Sequence, residues 1–185
     1  MKSIVILLAL AGALSSEEKM VQPRYTEKGA MLRPTGFREW VFVGSSLGMG
    51  YSEGEDSTHP VFHNVYIQPQ AYKQFQATGT FPDKTILVME VLSSGTNASI
   101  NKTGHFEDRS VAVEAAVKDE TRVAEKWAYY GFDAALPDAK AFPKQACWSC
   151  HNQHGASDNV FAQFYPVLRD GLAKAARQSA TPTAK

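Results

Sequence analysis

The chain has 185 residues, 44% hydrophobic and 11% aromatic, which is enough for one domain with a substantial core. Its 19 basic and 19 acidic residues cancel, which argues against a nucleic acid or other polyanion as partner. Both cysteines fall within one pentapeptide, Cys147-Trp148-Ser149-Cys150-His151, so no other thiol competes with that motif.

The N-terminus reads as an export signal. Met1-Lys2 is a short basic start, Ile4 to Leu14 is apolar, Ala11-Gly12-Ala13 offers small residues at a cleavage site, and polar Ser15-Ser16-Glu17-Glu18-Lys19 follows. The apolar run is far shorter than the roughly twenty residues that span a bilayer, and no cysteine near the cleavage point offers a lipid anchor. The expectation is a signal peptide over 1–14, a periplasmic location and no stable membrane insertion, with a buried N-terminal helix as the alternative. Residues 15–34 are polar and irregular and read as a linker. The domain proper is placed at 35–178 and a frayed tail at 179–185.

Within the domain, Val41 to Gly44 has strand composition and Ser45 to Pro60 reads as an exposed loop with solvated Glu53, Glu55 and Asp56. Val61 to Ile67 is a second strand. Pro69 opens a short helix that Gly79 closes. Thr85 to Leu92 is a near-continuous apolar run of strand length, followed by a polar loop over 93–106. From Ser110 to Lys118 the chain alternates, with Val111, Val113, Ala115 and Val117 on one face and Ala112, Glu114, Ala116 and Lys118 on the other. Trp127 to Phe132 is an aromatic-rich strand. After the cysteine motif, Asp158 or Asn159 is placed to cap a helix through Val160, Phe161, Phe164, Val167 and Leu168 that Pro166 divides, with a continuation over Leu172 to Arg177. The fold class is α+β, mainly antiparallel β-sheet with a short helix and a C-terminal helix.

Cys147-x-x-Cys150-His151 matches the attachment motif of a covalent haem c, one per chain. Two thiols at this spacing can bond the two vinyl groups of one haem, and the adjacent imidazole is a proximal ligand to its iron. Two other chemistries fit a Cys-x-x-Cys pair. A redox dithiol expects a βαβ context that the upstream residues do not offer. A zinc site would need His154 as a fourth ligand, with all four crowded into one short segment.

Beyond the motif, the segment Asp158 to Leu168 (DNVFAQFYPVL) resembles the cytochrome P-460 / cytochrome c′-beta family. Further blocks that resemble it fall in the same order: Phe37-Arg38-Glu39-Trp40-Val41, Val65-Tyr66-Ile67, Thr78-Gly79-Thr80-Phe81, Val113 to Asp119, and Trp127-Ala128. The resemblance implies an antiparallel sheet domain, a homodimer, and a five-coordinate haem iron with one open face. It also implies a choice. Enzymatic members oxidise hydroxylamine and carry a lysine bonded to the haem macrocycle; cytochrome c′-beta members lack that bond and bind NO and CO in an apolar pocket. The crosslinked members carry Thr-x-x-Val-Lys-Glu. The matching residues here are Thr85, Val88, Met89 and Glu90, so a thioether stands where the amine would be. Lys84 lies about 17 Å from Met89 along an extended strand, and Lys73 belongs to another element.

For the distal side the resemblance implies lining by Phe62, then His59, because their stretch is similar to the part of the family that supplies a distal aromatic, and Met89 is a further candidate; each has an ordinary alternative: a core aromatic, a loop histidine, a packing methionine. Glu114 is a solvated strand residue by default and a candidate proton acceptor if the pocket is dry. His63 and His105 read as surface residues, and His154 is too close to His151 to reach the iron's other face. Three functions follow: binding of gaseous NO or CO, oxidation of hydroxylamine, and electron transfer through a six-coordinate iron with a redox partner protein. The residues at 89 and 147–151 favour the first.

Overall fold

The computed structural model describes residues 19–50, 58–96, 99–133 and 136–180. The expected signal peptide, the Glu53–Asp56 acidic patch and the end of the tail lie outside them. The elements in chain order are β1 (Met31–Leu32), β2 (Val41–Leu47), β3 (Val61–Ile67), α1 (Pro69–Thr78), β4 (Ile86–Gly95), β5 (Phe106–Lys118), β6 (Trp127–Asp133), β7 (Asp138–Ala139), α2 (Trp148–His154) and α3 (Arg169–Ala180). Strands β2 to β6 form one antiparallel sheet in sequence order, and β1 pairs with β7 in a two-stranded sheet. The class is α+β with a mainly antiparallel sheet, as the sequence implied.

Several boundaries differ from the sequence reading. Strand β2 continues through Ser45–Leu47, and β4 and β5 extend into the stretch read as a polar loop. Pairing with a neighbouring strand satisfies backbone groups whatever the side chains are, so polar residues extend these strands. The stretch read as a linker carries β1 and buries Met31. The C-terminal helix starts later than its apolar spacing implied. Two 3-10 turns, Ala162–Phe164 and Pro166–Leu168, come first, because Pro166 has no amide hydrogen to continue a helix. Asp158 and Asn159 cap no helix; both have positive φ, 49° and 62°.

Both faces of the large sheet are covered, which explains why β4 reads as a continuous apolar run: Ile86, Leu87 and Val88 are all buried. One face packs Val88, Val113, Ala115, Val117, Tyr130 and Phe132 against Met31 and Phe37 of the N-terminal segment. Glu90, only 2% exposed, is on this face and accepts a bidentate pair from Arg38, one bond at 3.1 Å from Nε. The other face packs Val65, Ile67, Leu87, Trp127 and Tyr129 against α1, the C-terminal turns and the cysteine helix. Here Phe75 of α1 stacks on Phe81 at 4.0 Å, and Trp127 meets Phe81 edge-on.

Helix α1 ends as the sequence implies. Gly79 takes φ 73° and its N–H bonds the Phe75 carbonyl at 2.7 Å. A β-carbon there would overlap the backbone nitrogen of Ala175 in α3. Gly79→Ala therefore combines left-handed strain with displacement of α3, and chemical denaturation is expected to show a loss of roughly 2–4 kcal/mol.

Candidate functional site

Alternation along the strands decides which side chains meet the cysteine motif. On β3, His63, Val65 and Ile67 share one face, and Phe62, Asn64 and Tyr66 the other. Val65 pairs with Gly44 and with Met89, Met89 with Glu114, and Glu114 with Gly131. One row of side chains thus crosses all five strands, Gly44–Val65–Met89–Glu114–Gly131. Above it lies a cavity of about 430 Å³ whose lining includes Val65, Leu87, Met89, Glu114, Ala116 and Tyr129 from the sheet, and Cys147, Cys150, His151, Asn159, Phe161 and Tyr165 from the C-terminal segment. Its size lies in the range of cofactor sites.

The glycines at the two ends of the row make room for aromatic walls. A β-carbon on Gly44 would come within 2.9 Å of Tyr165 Cδ1, and one on Gly131 within 2.6 Å of Phe142 Cζ. Tyr165 and Phe142 both line the cavity. Neither wall was legible from sequence. Each depends on a glycine lying opposite a ring far away in the chain.

The motif itself opens a helix. Cys147 precedes α2, which carries Cys150 and His151. Cys147 is half-buried, and Cys150 is exposed. Burial raises the Cys147 thiol pKa, and the Glu114 carboxylate pushes it the same way. His151 is half-buried between Tyr129 and Phe161, with ring centroids at 4.4 and 4.5 Å. Its Nδ1 lies 3.0 Å from the Asn159 carbonyl. A carbonyl only accepts, so Nδ1 carries the proton and Nε2 is left with the lone pair that ligates a metal. Burial lowers the imidazole pKa, outweighing the raising effect of that hydrogen bond, and this favours the neutral ligand form.

Of the other residues singled out from sequence, Met89 and Glu114 reach the cavity and two do not. Phe62 pairs with Leu92 on the opposite face of the sheet from Val65. His59 is exposed in the turn before β3, its Nδ1 2.9 Å from Thr58 Oγ1, and is outside the cavity lining. The expectation for Phe62 rests on the likeness of its stretch to the family's distal-aromatic region, and a strand's period of two turns it to the other face. His63 is half-buried rather than at the surface, with burial lowering its pKa, while His105 and His154 are exposed. Glu114 is not a solvated strand residue: burial raises its carboxyl pKa.

The lining fits a haem. It is largely apolar, it brings two thiols and a ligating imidazole to one wall, and Asn159 contributes a buried Nδ2 donor with no partner. Such a donor suits an acceptor brought by the cofactor, as a haem's carboxylates would be. The zinc alternative lacks a ligand set: among the described residues no group of three or more His, Cys, Asp or Glu is gathered for a metal ion. A dithiol motif does open a helix, but these strands pair antiparallel throughout, without a βαβ unit. Among the described residues no helix is long and apolar enough to cross a membrane.

The raised pKa of Glu114 has a pH signature. Its stabilising contribution is complete below the unfolded carboxyl pKa and is lost as pH rises through the higher folded value. Thermal unfolding of the haem-loaded protein is expected to show Glu114→Gln gaining on the wild type as pH rises from about 4 to 8.

The cytochrome P460 family model matches residues 34–162, most of the chain. No curated protein matches it.

Proposed function

We propose a gas-binding role for this chain, which belongs to the cytochrome P460 family: an exported, periplasmic mono-haem c-type cytochrome that binds NO, or CO in the reduced state, for scavenging or sensing. Family membership implies a c-type haem, and the spacing of Cys147, Cys150 and His151 fits its attachment. The observation that carries the proposal is the cavity wall at Met89. The residue at the crosslinking position lines the cavity beside Glu114, it is a methionine, and no lysine is among the lining residues.

Bound in this cavity, a haem supplies an iron centre that coordinates a small diatomic ligand. Cys147 and Cys150 would tether the group, and His151 Nε2 would be the imidazole ligand to its iron. Val65, Leu87, Met89 and Ala116 exclude water, which favours a neutral diatomic over an anion. Lys84 is occupied elsewhere, paired with Asp119 and donating to Thr121 Oγ1 at 2.9 Å. Lys73 is exposed on α1.

Glu114 supports a second reading. A carboxyl with a raised pKa on the wall of an apolar cavity is a proton acceptor of the kind that oxidation of hydroxylamine requires. An electron carrier is the third reading, and its sixth ligand from this lining would be the Met89 sulfur. The functional unit in all three is a homodimer, with a redox partner protein supplying or taking electrons.

The test is absorption spectroscopy on protein matured in a host that attaches c-type haem, reduced and then exposed to NO. A high-spin ferrous spectrum that converts on NO addition, without a strongly red-shifted Soret band beforehand, is the expected result. A low-spin spectrum indifferent to NO would make the chain an electron carrier. A strongly red-shifted band would place a lysine on the macrocycle and make hydroxylamine oxidation the leading activity.

A further inference from the structure

The turn that carries the acceptor for His151 has a left-handed backbone. Ser157 and Val160 close it with paired backbone bonds of 3.4 and 2.9 Å, and both central residues have positive φ. That is the primed turn conformation, whose usual occupants are glycine, asparagine and aspartate. The chain places Asp158 and Asn159 there. The Asp158 carboxylate is held from two sides: Oδ2 by Lys118 Nζ at 2.7 Å, and Oδ1 by Trp127 Nε1 at 3.2 Å. Lys118 Nζ also donates to the Phe81 carbonyl at 2.8 Å, and its side chain is only 6% exposed. Trp127 is 2% exposed. Anchored in this way, the turn presents the Asn159 carbonyl to His151 Nδ1 at 3.0 Å and to the Tyr129 hydroxyl at 3.4 Å.

We propose that Lys118 and Asp158 are positioning residues for the haem's proximal ligand: they fix the turn so that the Asn159 carbonyl takes the His151 proton, and so govern how strongly that imidazole donates to iron. A fixed acceptor on Nδ1–H holds the ring's tautomer and orientation and raises its basicity. Here the acceptor is a neutral carbonyl, so the strength of the bond depends on where the turn sits. The ion pair that seats the turn comes from the far ends of β5 and of the loop after α2, and touches neither the cavity nor the ligand itself.

This inference rests on ligation of the haem by His151, not on which ligand the haem takes. Its test uses the haem-loaded protein and two readings, the ferrous iron–histidine stretching frequency by resonance Raman and the midpoint potential. Lys118→Met and Asp158→Gly each free the turn, from opposite partners of the ion pair; the second keeps a backbone that suits positive φ, and haem incorporation and a cooperative thermal transition identify the variants that fold. Both are expected to lower the stretching frequency and shift the potential upward. The two substitutions remove opposite charges, so a through-space effect alone would move the potential in opposite directions and would overturn the proposal. An iron–histidine band that stays put in Lys118→Met and Asp158→Gly would overturn the positioning role alone, whereas a wild-type protein with no such band would overturn the haem ligation as well.

Discussion

The site depends on the register of four strand pairings. Because a strand's side chains alternate, a slip of one residue anywhere between β2 and β6 would turn part of the row Gly44–Val65–Met89–Glu114–Gly131 to the other face. The register is held from both sides of the sheet. One face is fixed by the packing of Val88, Val113 and Phe132 on Met31 and Phe37, the other by α1 and the C-terminal segment. The pairing of exposed Arg38 with buried Glu90 adds a polar constraint, since a shifted strand would leave a buried carboxylate without its partner. The cavity floor is therefore rigid, and function is distributed over what lies above it.

Above the floor the chemistry comes from one stretch of chain. Residues 147–165 bring the two thiols, the imidazole, the carbonyl that orients it and the aromatic wall at Tyr165. The floor contributes an apolar surface, one thioether and one half-buried carboxyl. This division separates attachment from selectivity. In the proposed reading, attachment belongs to the motif and its turn, and the choice between binding a gas and oxidising a substrate belongs to Met89 and Glu114. A lysine at position 89 would bring an amine to the cavity wall; the methionine there brings a soft, polarisable side chain that packs.

Much of this was legible in the sequence, for physical reasons that differ by element. The cysteine motif is local chemistry, complete within five residues, and needs no tertiary context. The strands were legible because β-branched and aromatic runs bounded by turn residues have few other solutions. Helix α1 announced both ends, with Pro69 at its start and Gly79 at its close. Met89 and Glu114 entered the reading through pattern and alternation, and both reach the cavity. Phe62 and His59 do not. Both expectations rest on the likeness of their stretch to the family's distal region; the first residue alternates to the wrong face, and the second lies in the turn before β3. Asn159 was read as a helix cap, because Asp and Asn before an apolar run usually are; their positive φ reflects anchoring by Lys118 and Trp127, from strands that nothing local connects to the turn. Phe142 and Tyr165 were beyond reach for the same reason, since each depends on a glycine on a distant strand.

The central claim is spatial: the iron lies between α2 and the sheet row, bonded to His151 and facing Met89 and Glu114. Crystals of the haem-loaded protein, measured at the iron absorption edge, locate that atom without reference to the rest of the electron density. The account predicts one anomalous peak in the cavity, at bonding distance from His151 Nε2, with no second protein ligand. A peak bonded to His63, His59 or any other side chain, or one on the Phe62 face of the sheet, would contradict it.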